Sequence, residues 1–347
     1  MDSNALKRKK LHFIVEENIP YMRGTLEPYG TVEYLASDAI DHDAAMRADA
    51  LLVRTRTRCD AALLADTPVR LVATATIGTD HIDLAWCEAN GIRVANAPGC
   101  NAPAVAQYVL SALANLANRR IHQYRMGIVG VGHVGRIVQQ WAASLGIELM
   151  LCDPPRQRAE GGDQWHTLTE LAENCDVITF HTPLTKEGPD ATYHMAGREF
   201  FHACRRAPII INAARGPVAD TEAIIEAIKE GRIYQAVIDT WEGEPNISRE
   251  LLDITSIATP HIAGYSRQGK MRATRAVLDA VSETFSLPSI PFTGERPTPV
   301  LQRVNLPQLL WSYDPYADDT ALRHSPESFE TLRNTYALRS EPQRLRR

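Results

Sequence analysis

Residues 127–155 read GIVGVGHVGRIVQQWAASLGIELMLCDPP. Gly130, Gly132 and Gly135 close one apolar run, and Asp153 closes the next. Glycine loses more backbone entropy on folding than any other residue, so three of them in six positions mark a place where something must come very close to the main chain. The run MGIVGV predicts a strand and VGRIVQQWAASLG a helix. In that setting Gly-x-Gly-x-x-Gly is the dinucleotide-binding fingerprint. The first glycine permits the tight turn, the second lets the backbone approach a pyrophosphate, and the third lets helix and strand pack closely. The helix start then offers free N–H groups and a positive dipole end to the phosphates. Asp153 lies 23 residues after Gly130, near the distance at which an acidic residue receives the adenosine ribose hydroxyls. A carboxylate there repels a 2′-phosphate, so NAD is expected rather than NADP. Arg156 and Arg158 stand close by and keep NADP open.

Outward from this stretch, short apolar runs alternate with helical ones. LHFIV, ALLVRT, RLVATAT and IRVANA predict strands in the first hundred residues, and MGIVGV, IELMLCD, DVITFHT, APIIINAA, AVIDTW and SIATP predict a second set. Runs apolar on both faces suit the inner strands of parallel sheets. Strand–helix alternation occurring twice predicts two doubly wound α/β domains. NAPAVAQYVLSALANLANRR reads as a long helix between the two regions, with Pro103 in its first turn. SRQGKMRATRAVLDAVSETF reads as a return helix. Two such helices allow one domain to be inserted into the other, with a small-molecule site expected in the cleft. Past residue 287 the chain becomes proline-rich, then helical and aromatic, which sets off a third module or an association arm.

The bulk numbers exclude other classes. A net charge of −5 gives no basic excess for nucleic acid, and the run KRKK at residues 7–10 stands alone. No apolar run approaches the ~20 residues of a membrane helix, and the first is too short for the core of a signal peptide. The six cysteines form no CxxC pair, which argues against a zinc site and a disulfide framework and for a reducing cytoplasm.

INAARGPVAD, VIDTWEGEP and ATPHIAGYS each follow a predicted strand, so they fall at the carboxyl edge of the second sheet, where ligands bind. They carry Arg215, Glu244 and His261. Removing a hydride from a hydroxyl-bearing carbon needs a base for the hydroxyl proton, and histidine as a residue type titrates near neutral pH. A neighbouring carboxylate orients such a ring. An arginine holds a substrate carboxylate through two parallel hydrogen bonds. The intervals of 29 residues from Arg215 to Glu244 and 17 from Glu244 to His261 resemble the Arg/Glu/His set of the D-2-hydroxyacid dehydrogenases. The interval favours Glu244 over its neighbour Glu242.

The resemblance extends through TATIGTDHID, ANAPGCNAPAVAQYV, LCDPPR, TFHTPLTKEGP, HIAGYSRQGKMRAT and the terminal YDPYADDTALR and ESFETLRNTYALR, so it covers most of the chain. It implies a Rossmann nucleotide domain at 106–262 inserted in a flavodoxin-like substrate domain at 1–105 and 263–286, followed by a dimerisation module at 287–347. It implies a cytoplasmic homodimer that oxidises 4-phospho-D-erythronate with NAD, without a metal, in the synthesis of pyridoxal 5′-phosphate. Arg215 would orient the substrate, Glu244 would support the histidine, and His261 would be the acid/base. Gly130, Gly132, His133, Val134, Gly135 and Asp153 would meet the cofactor. So would Thr182, Ala213, Ala214, Arg215, Asp239 and Gly264. Arg54, Thr55, Thr76 and Tyr265 would meet the substrate.

A phosphorylated acid asks for further positive charge. Strand alternation would put Arg54, Arg56 and Arg58 on one face, with Arg54 in the family-like position, and Lys270 and Arg272 begin the return helix. His181 reads as core or cofactor-adjacent, and His81 as a structural hydrogen-bonder near a helix start. Gln107 stands where several relatives carry glutamate, Thr55 where serine is more usual, and the connector NRRIHQYR is short. Two other functions fit the same residues: a dehydrogenase of another 2-hydroxy acid such as 3-phosphoglycerate, and an NAD-sensing binding module without turnover.

Overall fold

The structure is a computed structural model that describes residues 10–117, 120–292 and 299–343. Most of the basic run at 7–10, two residues of the connector and part of the proline-rich stretch lie outside the described residues. The chain divides into two units, Met1–Asn101 with Gln268–Thr298 and Ala102–Arg267 with Pro299–Arg347. The helix Ala102–Leu116 is buried on every side from Ala102 to Ala114, so it is a core element of the second unit and draws the boundary a few residues ahead of the expected 105/106. The segment expected as a third module is shared between the two units.

The first unit is a parallel sheet of β1 (Leu11–Glu16), β2 (Gly30–Leu35), β3 (Ala50–Val53), β4 (Leu71–Thr74) and β5 (Arg93–Ala95), in the order β2-β1-β3-β4-β5. That is the flavodoxin-like doubly wound order. β2, GTVEYL, is the strand that the apolar runs did not predict. It is an edge strand whose Glu33 reaches out to His12 and Arg47, so it never needed apolar residues on both faces. The return helix, Arg267–Phe285, buries Ala273, Val277, Leu278 and Val281 against this unit's core.

The second unit carries β6 (Arg125–Val129), β7 (Glu148–Cys152), β8 (Val177–Phe180), β9 (Ile209–Asn212), β10 (Gln235–Ile238) and β11 (Ile257–Ala258), all parallel, in the order β11-β10-β9-β8-β6-β7. A single parallel bridge from Leu151 to Trp165 stands where a third strand would follow β7 in the dinucleotide-binding order. The order reverses at β6, between β7 and β8, and the glycine turn leaves from the end of β6.

Residues 299–343 pack onto this second unit. Leu322 and Phe329 are fully buried in one of its clusters, and Leu309 and Tyr313 lie in the other. Burying side chains of this size contributes roughly 1.5–3 kcal/mol each. The helix Tyr316–His324 also closes the short edge strand β11: Ala258 N donates to Asp319 Oδ1 at 2.7 Å, which leaves less open edge for another chain. The structure gives a physical reason for glutamine at position 107. Wholly buried, it accepts from Arg339 Nε at 3.0 Å through its carbonyl oxygen and donates through its amide to Ser312 Oγ at 2.8 Å and the Ser340 carbonyl at 2.9 Å. An ionised glutamate has no donor for those two acceptors.

All six cysteines are buried thiols, and none is joined in a disulfide. No helix among the described residues is long and apolar enough to cross a membrane. Among the described residues no group of three or more His, Cys, Asp or Glu is placed to hold a metal ion.

Candidate active site

β6 ends at Val129, and the chain turns at Gly130 with φ +83°. A Cβ there would lie 2.9 Å from the His181 carbonyl, and one at Gly135 would lie 2.1 Å from the Gly130 oxygen. Those two glycines are therefore required by the protein's own backbone. A Cβ at Gly132 would meet nothing within 4 Å; it would fill an open cradle. Gly132 is the N-cap of the helix His133–Ser144 and supplies no side-chain cap, so the first N–H groups of that helix, at His133 and Val134, remain for an incoming acceptor. A diphosphate fits this cradle by the chemistry of its donors.

Asp153, at the end of β7, ties this turn to the acidic position. Its Oδ2 accepts from Val131 N at 2.8 Å and its Oδ1 from Arg156 N at 3.1 Å. Each carboxylate oxygen keeps capacity for a ribose hydroxyl. The two arginines that left NADP open are both engaged. Arg156 forks onto Glu160 at 2.8 and 2.7 Å, donates to the Val131 carbonyl at 2.7 Å and stacks over Trp165, while Arg158 pairs with Asp190. The arrangement favours NAD.

Across the turn, Thr182 Cγ2 comes within 3.0 Å of where a Gly130 Cβ would stand. Next to it, His181 Nε2 meets Thr179 Oγ1 at 3.1 Å, whereas its buried Nδ1 finds no partner among the described residues. Burial pushes the ring's pKa down to about 3 from 6.5. The folded chain thus keeps this ring neutral while the unfolded chain protonates it below 6.5. That contribution is fully present above pH 6.5 and is lost as pH falls from there toward 3, by up to about 1.4 kcal/mol per pH unit. His181→Phe should therefore show a shallower loss of thermal stability between pH 6.5 and 4.5 than the parent chain in calorimetric scans. Parallel slopes would remove this assignment. His81 bonds through its backbone carbonyl, which accepts from Cys59 N at 2.8 Å, while its buried ring Nε2 finds no partner among the described residues.

The chemical groups come from the ends of β9, β10 and β11. After β9 the buried Asn212 folds the loop: its amide donates to the Arg215 carbonyl at 3.0 Å and its oxygen accepts from Ala214 N at 3.2 Å. Ala213 and Ala214 lead to Arg215, whose guanidinium bonds the Ala214 carbonyl at 2.9 Å. Gly216 lets this loop press against the next one, since a Cβ there would lie 2.0 Å from the Trp241 carbonyl oxygen. After β10, Glu244 turns back so that Oε1 accepts from Trp241 N at 2.8 Å, and its Oε2 accepts from His261 Nδ1 at 2.8 Å. Burial raises the pKa of Glu244, but the bond and charge of His261 and the Trp241 N–H outweigh it and hold the carboxyl below its usual range. Because Nδ1 carries the proton given to Glu244, Nε2 is the free lone pair of the neutral ring.

Glu242 serves another partner. It accepts from His194 Nε2 at 2.7 Å and from Thr221 N at 2.9 Å.

His261 sits at φ +57°, a conformation few side chains adopt without support. Asp239, 1% exposed, supplies it. Its carboxylate accepts from Thr259 Oγ1 at 2.6 Å, Ile262 N at 2.8 Å and Ala263 N at 2.9 Å. Burial nevertheless leaves its pKa raised. The sequence marked Asp239 as a cofactor contact; the structure also makes it the anchor of the histidine loop. Gly264 and Tyr265 continue that loop. Tyr265 packs edge-on against Tyr336 at 6.1 Å and shares a hydrogen bond with Arg333, a cation that also helps to depress Glu244. Arg333 was not legible in the sequence, because nothing local ties TLRN to the site.

In the first unit, Arg54 and Thr55 leave the end of β3, and Thr76 follows the end of the adjacent β4. Arg54 N donates to Glu16 Oε2 at 2.7 Å, and Thr76 Oγ1 meets Thr74 Oγ1 at 2.6 Å. β3 ends at Val53, so Arg54, Arg56 and Arg58 lie in the following loop and strand alternation does not align them. Arg58 is paired with Asp60 at 2.6 Å. Arg272 bonds the Cys100 carbonyl at 2.7 Å.

Residues 105–263 match the D-isomer specific 2-hydroxyacid dehydrogenase, NAD binding domain. The chain is 46% identical to an erythronate-4-phosphate dehydrogenase of Porphyromonas gingivalis over 94% of its own length and 92% of that protein's. It is 46% identical to one of Bacteroides fragilis over 94% and 96%. Its fold superposes on NAD+-bound 3-phosphoglycerate dehydrogenase of Entamoeba histolytica with a TM-score of 0.68 at 22% identity, covering 83% of this chain and 100% of that one. That last likeness speaks for the fold. The glycine cradle with its acidic partner, and identity spread along nearly the whole length of both relatives, lead to one conclusion: the chain belongs to the erythronate-4-phosphate dehydrogenase family of D-isomer specific 2-hydroxyacid dehydrogenases.

Proposed function

We propose that the chain oxidises 4-phospho-D-erythronate at C2 to (R)-3-hydroxy-2-oxo-4-phosphooxybutanoate, with NAD, in the synthesis of pyridoxal 5′-phosphate. The observation that carries the chemistry is the His261–Glu244 hydrogen bond of 2.8 Å, on a loop held by a buried aspartate. NAD, when bound, accepts the hydride from C2. His261 Nε2 takes the hydroxyl proton, and Glu244 orients the ring and balances the charge it gains. Arg215 holds the substrate carboxylate by a fork of two hydrogen bonds. The unit of residues 102–267 is the nucleotide domain in this reading, a little wider than the expected 106–262, and Asp153 takes the adenosine ribose. The unit of residues 1–101 and 268–298 is the substrate domain in this reading, with Thr55 and Thr76 as substrate contacts and Arg54 as the cation for the phosphate.

NADH formation followed by absorbance, with 4-phospho-D-erythronate beside 3-phosphoglycerate, tests the substrate. Preference for the three-carbon acid would overturn this assignment. Arg54→Ala should lower kcat/KM for the phosphorylated acid by about 100-fold, as befits one lost charge-assisted contact of ~2.7 kcal/mol. Erythronate without its phosphate should lose little. Equal losses on both acids would remove Arg54 from phosphate recognition.

The chain is proposed to work in the cytoplasm, which six buried cysteines outside any disulfide suit. It is proposed to pair with a second copy through the C-terminal segment. Trp311 there is 75% exposed, with Val300 and Tyr316 also presented to solvent, an apolar display that suits a protein interface. Light scattering should give twice the chain mass of 38.5 kDa; a single-chain mass would refute the pairing.

A further inference from the structure

We propose that Arg339 is a positioning residue for His261, gripping the carbonyl side of the loop whose N–H side is held by Asp239. This inference rests on His261 being the acid/base, as proposed above.

A guanidinium has five N–H donors, and Arg339 uses all five. Nε donates to Gln107 Oε1 at 3.0 Å, and one Nη2 hydrogen goes to the Ala104 carbonyl at 3.2 Å. One Nη1 hydrogen goes to Tyr336 Oη at 3.2 Å. The other two land on the Ile262 carbonyl, at 3.0 Å from Nη1, and the Ala263 carbonyl, from Nη2. These are the two residues that directly follow His261. Their N–H groups are the ones that Asp239 accepts. Each of these two peptide-bearing residues is thus held by a carboxylate on one side and a guanidinium on the other.

His261 needs such a frame. A non-glycine residue at φ +57° persists when its surroundings over-determine it. Asp239 supplies half of the restraint. The other half comes from a residue 78 positions along the chain. Arg339 is itself immobilised. It stacks over the Tyr313 ring at 4.2 Å, its carbonyl accepts from Arg267 N at 2.9 Å, and Gln107 fixes its Nε. A residue that only fastened the C-terminal segment would be satisfied by acceptors on the helix Ala102–Leu116. Two of its five bonds instead go to the histidine loop. A lysine offers three donors from one point and cannot span these acceptors.

The test uses the full-length chain, with 4-phospho-D-erythronate and NAD as ligands. Arg339→Ala should lower kcat by about 100-fold, the scale at which a shift of ~1 Å in a reacting group acts, with NAD affinity within about twofold of the parent. Guanidinium chloride at non-denaturing millimolar concentration should restore kcat at least about fivefold in Arg339→Ala and leave the parent unchanged; these are order-of-magnitude expectations for refilling a positioning contact. Arg339→Lys should keep the fold and the NAD affinity but not kcat, and it decides the matter if the alanine variant does not fold.

Unchanged kcat in either folded variant overturns the proposal. So does a parallel loss of kcat and NAD affinity without guanidinium rescue, since that is the mark of a fastener alone. His261→Asn assayed alongside separates the two levels. If it loses turnover while Arg339→Lys keeps it, only this inference fails. If it keeps turnover, the acid/base assignment fails and this inference with it.

Discussion

His261→Asn is expected to lower kcat for 4-phospho-D-erythronate by about 10³-fold, inside the range of 10² to 10⁴ that a positioned acid/base contributes. NAD affinity, measured by fluorescence titration, should stay within about twofold, because no donor of the glycine cradle is touched. Asparagine is the informative replacement. Its amide can still donate to Glu244 Oε2, now bonded to His261 Nδ1 at 2.8 Å, so the buried carboxylate is not orphaned and the fold should hold. What disappears is the lone pair of Nε2. A loss smaller than tenfold would mean that another group takes the hydroxyl proton. A loss accompanied by weakened NAD binding would mean that the histidine serves the cofactor rather than the substrate.

Gly132→Val should weaken NAD binding by at least about 100-fold, or ~2.7 kcal/mol, with little change in thermal stability. The two effects separate because a Cβ at Gly132 meets no atom of the protein within 4 Å, while the same position is where the backbone must approach a diphosphate. Gly135 is the control. A Cβ there would lie 2.1 Å from the Gly130 oxygen, so Gly135→Val should destabilise the domain whether or not cofactor is present. Full NAD affinity in a folded Gly132→Val would show that the cofactor does not lie over this turn.

Much of this molecule is legible in its sequence. The strands of both sheets could be read from apolar runs because inner parallel strands are buried on both faces. β2 escaped because only Gly30 of its six residues is buried, and its Glu33 faces charged neighbours. The extension of β3 through the arginines failed for the opposite reason: the TRTR alternation that looks like a strand continues past the last ladder pair, Val53 with Thr74. The ambiguity between NAD and NADP could not be resolved from LCDPPR, since a sequence does not say whether Arg156 and Arg158 are free. Glu160 and Asp190 claim them in the fold.

The sequence by itself determined the glycine turn, the acid at the end of β7, and the placing of Arg215, Glu244 and His261 after strands. Each is a backbone requirement or a spacing confined to one strand and its following loop, and such constraints are written locally. Only the tertiary structure decided what holds the histidine in place: Asp239 beneath its loop, Arg339 above it, and Gln107 behind Arg339. Those groups are joined by hydrogen bonds between residues up to 232 positions apart. Nothing in the composition around either partner reveals such a bond, because its geometry exists only after the chain has folded.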